Sequence, residues 1–83
     1  MTTGVQTLGK IALGDAIAQA EMNQREVARN AGIHYNNISE YKRGRPIRKK
    51  TAYSILRVLN AKRSVLNMDP LGLEDIEWTI ANF

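Results

Sequence analysis

The sequence of this 83-residue chain predicts an all-α fold, a compact bundle of about five short helices. Three observations lead there. Apolar residues recur at helical spacing, most cleanly at Ala52, Ile55, Leu56 and Leu59, which fall at i, i+3, i+4 and i+7. Capping and breaking residues punctuate these segments, with Asn23 before one, Gly32 after it, and Gly44-Arg45-Pro46 after the next. No segment stands out as a strand. Eighty-three residues make one small domain with a thin core, so residues 1–83 are read as a single unit.

Taken in order, Met1 to Gln6 show no periodicity and read as a mobile arm. A first helix is expected from Thr7, as N-cap, to about Ala20, although Gly9 and Gly14 each cost a helix interior about 1 kcal/mol relative to Ala. Met22 should pack beneath the second helix. That helix opens with an Asn23-x-x-Glu26 capping box and ends at Gly32, where a left-handed backbone is expected. Ile33 begins a turn, and Ile38 and Tyr41 form the inward stripe of a third helix. A fourth helix runs from about Arg48 to Asn60. Ala61 to Gly72 is linker-like, and Leu73 to Ala81 is expected as a last short helix with early acids at Glu74 and Asp75. Residues 61–83 are thus a C-terminal extension.

The stretch from Gln24 to Arg43 is the richest in information. Counted from Gln24, a small Ala stands fifth, Gly ninth and Ile fifteenth, the spacing of a helix-turn-helix. Ala28 allows close helix approach, Gly32 makes the turn and Ile38 fills the angle. Tyr35, Asn36, Ser39, Glu40 and Arg43 are left facing outward, a polar surface suited to a DNA groove.

Charge supports the same direction. The net charge is +4, and from Lys42 to Arg63 there are nine basic residues and no acid. From Asp69 to Phe83 there are four acids and no base. A basic run is often only a solvated face, but this one directly follows the helix-turn-helix.

Leu13 to Asn60 resembles the Cro/lambda-repressor-like, xenobiotic-response-element type of helix-turn-helix regulator. The residues that carry the likeness are Met22-Asn23-Gln24, Val27-Ala28, Gly32, Ile38, Tyr41, Arg43-Gly44-Arg45 and the stripe Ile55, Leu56, Leu59. The resemblance implies a helical bundle whose third helix enters the major groove of double-stranded DNA. It implies base contacts from Tyr35, Asn36 and Glu40 with Asn37 beside them, and phosphate contacts from Gln24, Arg43, Arg45, Arg48, Lys49 and Lys50. The chain departs from the family pattern at His34, which stands where Ser or Thr usually caps the recognition helix, so Asn36 competes for that role. Ile17 and Lys42 replace a common Arg–Glu pair, and an apolar contact with the Lys42 stem is expected in its place. The acidic, Trp-containing tail is not part of the common pattern.

Each assignment has a plainer alternative. Asn36 matches adenine bidentately, or is a surface or capping residue. Tyr35 meets a thymine methyl or a phosphate, or anchors the turn. Glu40 reads cytosine, or is a surface acid paired with Arg43. Trp78, Ile80 and Phe83 cover a small core or build a dimer contact. There is no cysteine, and His34 is the lone histidine, so no metal site, no cofactor and no catalytic constellation is expected. With no apolar run of membrane length and no signal-peptide pattern, the expectation is a cytoplasmic, nucleoid-associated homodimeric repressor. The rivals are an antitoxin with a toxin partner and a helical protein-interaction adaptor.

Overall fold

A C-terminal strand organises the molecule. The structure is a computed structural model that describes residues 5–8 and 10–81. Strand β1 (Val5–Leu8) and the two-residue β2 (Ile11–Ala12) lead into helix α1 (Leu13–Gln19). Helices α2 (Gln24–Ala31) and α3 (Tyr35–Lys42) follow, then the short β3 (Ile47–Arg48) and the long helix α4 (Lys49–Val65). A 3-10 turn (Leu73–Asp75) delivers the chain into β4 (Ile76–Ala81).

All three other strands pair with β4. β1 runs antiparallel to it, from Val5 opposite Ala81 to Leu8 opposite Trp78. β2 and β3 run parallel to it, with Ile11 opposite Ile76 and Ile47 opposite Ile80. Since β1 occupies one edge along Trp78–Ala81, β2 and β3 share the other edge in succession.

The fold is therefore mostly helical but not all-α, and several expectations are corrected. Leu73 to Ala81 is not a helix. Ile76, Trp78 and Ile80 alternate with Glu77 and Thr79, and this period of two puts the three large apolar side chains into the core, each at most 1% exposed. Leu73, Ile76 and Ile80 also fit a helical spacing, and tertiary pairing decides between the two. Trp78 and Ile80 consequently belong to the core rather than to a dimer surface, while Phe83 lies outside the described residues. Of the expected arm, Val5 and Gln6 lie in β1, and residues 1–4 lie outside the described residues. α1 starts at Leu13, with Ala12 rather than Thr7 at its N-cap position. α4 continues through Ala61 to Val65, so part of the expected linker is helix.

One core cluster joins every layer. Leu13, Ala16 and Ile17 of α1 meet Val27 and Ala28 of α2, Ile38 of α3, Ile47 of β3 and the α4 stripe Ala52, Ile55, Leu56, Leu59. Met22 is partly buried against it, as expected. Trp78 lies beneath the sheet, and its indole N–H donates to the Leu73 carbonyl at 3.0 Å, so its polar edge is satisfied.

All four helices end in the same way. Glu21, Gly32, Gly44 and Asn67 each follow a helix with positive φ. In each case two backbone N–H groups fold back onto the last turn, as Ile33 N does to Ala28 O at 2.9 Å and Met68 N to Arg63 O at 2.8 Å. Glycine suits that backbone, whereas Glu21, at φ 56°, is strained by its Cβ. Beyond α4, Asn60 exchanges two hydrogen bonds with the Leu71 backbone. Arg63 is buried, not part of the exposed basic face: Nε donates to Asp69 O at 2.6 Å and Nη1 to Gln19 Oε1 at 3.1 Å. No helix among the described residues is long and apolar enough to cross a membrane.

Two stability outcomes follow. Trp78→Ala should cost about 3–5 kcal/mol in denaturant unfolding, and deleting Leu73 to Phe83 should abolish the cooperative transition, because β4 is the partner of every other strand. Glu21→Gly should stabilise by about 0.5–1 kcal/mol, the left-handed strain relieved less the entropy of glycine, read as a raised thermal midpoint.

Candidate nucleic-acid interface

α2 and α3 meet as the sequence pattern requires. Asn23 Oδ1 accepts from Glu26 N at 2.8 Å and Asn23 N donates to Glu26 Oε1 at 3.0 Å, which completes the capping box. Ala28 is buried at the contact, Ile38 is fully buried in the angle and Gly32 turns the chain at φ 71°. With Ile38 inward, the opposite side of α3 faces out.

His34 caps α3. Its Nδ1 accepts from Asn36 N at 3.2 Å. The competition expected from Asn36 does not occur: Asn36 is one residue inside the helix, with its side chain exposed. Tyr35 is 43% exposed, and the Arg25 guanidinium lies 5.4 Å from its ring centroid. Asn37 is half-buried.

Gln24 does more than the expected phosphate contact. Its side-chain amide donates to Ser39 Oγ and, at 3.4 Å, to Tyr35 O, while its Oε1 accepts from Lys42 Nζ at 3.1 Å. One side chain at the start of α2 thus holds three residues of α3, which fixes the angle at which α3 is presented. Ser39 is drawn into this latch rather than facing out freely. The Lys42 stem passes over α1 at Gly14, where a Cβ would stand 3.2 Å from Cε. The neighbour shown for this stem is Gly14 rather than Ile17, with which the resemblance implied an apolar contact.

Glu40 pairs with Arg45, not with Arg43. The 44–45 turn brings Arg45 back, its backbone N–H donating to Glu40 O at 3.1 Å. This neutralises an acid that would otherwise repel phosphate, and it occupies one cation of the cluster. Arg43, Arg48, Lys49 and Lys50 are exposed. The last three crowd the N-terminal end of α4, which has no acid in its first turn and no side-chain cap. Cations are unfavourable at that end of a helix dipole, and free N–H groups there attract an anion. Tyr53, 55% exposed, stands one turn further along α4 beside this group. Sequence reasoning passed over Arg25 and Tyr53; an exposed aromatic within the basic run was the available signal for Tyr53.

The structure thus presents Tyr35, Asn36 and Glu40 on the outward side of α3. The sequence places Arg43 and Arg45 at its end and the α4 cations after β3. A helix-turn-helix family model matches residues 13–66, well over half of the chain. The chain belongs to the Cro/C1-type helix-turn-helix family of DNA-binding regulators. No curated protein and no solved structure matches it. The family match ends at residue 66, so β4 and the turn before it lie beyond the matched region.

The Glu40–Arg45 pair makes a testable statement. Glu40→Gln should free Arg45 and remove a negative charge, raising affinity for random duplex DNA by up to about fivefold at low salt, the scale of one exposed ion pair. Fluorescence anisotropy on a mixed-sequence duplex measures it.

Proposed function

We propose that this protein is a sequence-specific repressor that inserts α3 into the major groove of double-stranded DNA at a promoter and excludes polymerase. The observation that carries the reading is the concentration of Arg48, Lys49 and Lys50 at the uncapped N-terminus of α4. That arrangement is unfavourable for the protein alone and favourable against a phosphate. In this reading Gln24, Arg43 and Arg45 also approach the backbone, with the Gln24 side chain serving mainly to set the pose of α3. Asn36, exposed and relieved of capping by His34, reads adenine; Tyr35 and Asn37 flank it. Glu40 reads cytosine only where Arg45 turns to a phosphate.

The functional unit is a homodimer assembled on a two-fold operator, because one recognition helix reads only a few base pairs. Trp78 and Ile80 do not supply the apolar contact, since they are core residues. Among the described residues, the large hydrophobic side chains with high exposure are Tyr35, Tyr53 and Val65, too few for an obligate interface. Pairing is therefore weak in solution and completed on DNA. Such a protein acts in the cytoplasm, at the nucleoid.

Selection of binding sites from random DNA tests the reading: a palindrome with half-sites one helical turn apart supports it, and the absence of any enriched site refutes it. On the selected site, Asn36→Ala should lose about 1–3 kcal/mol while binding to random DNA hardly changes. Lys49→Ala with Lys50→Ala should instead weaken both about equally. The slope of log K against log salt should flatten by about 1 for each phosphate that the double variant no longer neutralises.

A further inference from the structure

A second surface lies on the C-terminal half of α4. Met22, in the turn before α2, and Val58, Ala61 and Val65 of α4 form the apolar floor of an open groove of about 390 Å³. Val65 is 75% exposed. Arg57 and Lys62 line the same groove, and no acidic residue does. None of these residues belongs to α3 or to the Arg43–Lys50 cluster, so the groove is separate from the proposed DNA face. β1 and β4 do not cover it. Ala81 pairs with both Val5 and Arg48, so that end of the sheet lies at the N-terminus of α4, and Val65 is about 25 Å further along the helix.

We propose that this groove docks a short amphipathic helix of an acidic partner protein. From Val58 to Val65 the floor extends about 10 Å, two turns of a helix, which matches apolar anchors at i, i+3 or i+4, and i+7. Charge selects the partner. A two-fold copy of this chain would bring Arg57 and Lys62 against their own kind, whereas glutamates flanking the anchors would meet both. Binding here does not depend on the DNA-binding reading.

The probe is a 14-residue helical peptide with Leu at the anchor spacing and Glu at flanking positions, compared with the same peptide carrying Lys for Glu. Methyl NMR of the full chain reads the location of binding. The Glu peptide should shift the Val58, Ala61 and Val65 methyl signals saturably, and the Lys peptide should not. Arg57→Glu with Lys62→Glu should weaken the Glu peptide about tenfold or more and reverse the preference. Val65→Ser, a change at an exposed position, should weaken both the native preference and the shifts without lowering the thermal midpoint. The proposal is overturned if the two peptides act alike, or if the shifts fall only on residues of the Arg43–Lys50 cluster. It is equally overturned if the groove methyls move with protein concentration alone, which would make this face a self-contact.

Discussion

The burial of β4 is the constraint on which the rest of the structure depends. Its inward residues Ile76, Trp78 and Ile80 form the floor against which α1, α3 and α4 lie, and its backbone edges hold β1, β2 and β3. The pairing of β3 has a consequence beyond stability. Ile47 opposite Ile80 and Arg48 opposite Ala81 fix the point at which α4 begins, and so the position of Arg48, Lys49 and Lys50. An acidic C-terminal segment that touches no DNA in the proposed mode thereby positions the cations that would. Buried Ile47 is the link: it carries the register of the sheet into the first turn of α4.

The recognition helix is held by a different kind of force. α3 is only eight residues long and stands little chance of forming alone. Ile38 anchors it through burial, His34 satisfies a backbone donor at its start, and Gln24 ties Tyr35, Ser39 and Lys42 to α2. Polar bonds of this kind contribute modestly to stability, but they have direction, and direction is what a helix entering a groove requires. The substitution of Lys42 for the acid of the family pattern fits this arrangement. With Ile17 in place of the usual arginine, a carboxylate at position 42 would have no ion-pair partner on α1, whereas the Lys42 ammonium serves Gln24.

Much of this was legible in the sequence, and the boundary between what was and what was not is physical. The α2–α3 unit was legible because its signals are local: Asn23 and Glu26 lie three apart, and Gly32 must adopt a backbone that other residues resist. The long stripe of α4 was legible for the same reason, but not its end, because Asn67 stops it in a left-handed conformation that any turn-forming residue imitates. The tail was misread because Leu73, Ile76 and Ile80 satisfy a helical spacing while Ile76, Trp78 and Ile80 satisfy an extended one. Only the partners decide, and β1 and β2 are sixty or more residues away in sequence. In the candidate site, the spacing announced that Tyr35 and Asn36 of α3 are exposed, whereas pairings were not legible. Glu40 has basic residues at several plausible distances, and the choice of Arg45 follows from the turn at Gly44, whose φ of 102° brings residue 45 back over the helix end.

The energetics of this small core bear on how the protein reaches specificity. Among the described residues, most large apolar side chains are buried or half-buried, on the sheet and the helix contacts, and few are exposed to a permanent partner. A regulator built this way gains affinity from phosphate contacts, which are indifferent to sequence and sensitive to salt. It gains selectivity from the few side chains on one helix face. Joining two such domains on adjacent half-sites multiplies the second quantity without requiring a strong protein–protein interface, since the DNA itself holds the two copies at high local concentration. The groove beside Val65, apolar along its floor and lined by Arg57 and Lys62, is shaped for a different kind of partner.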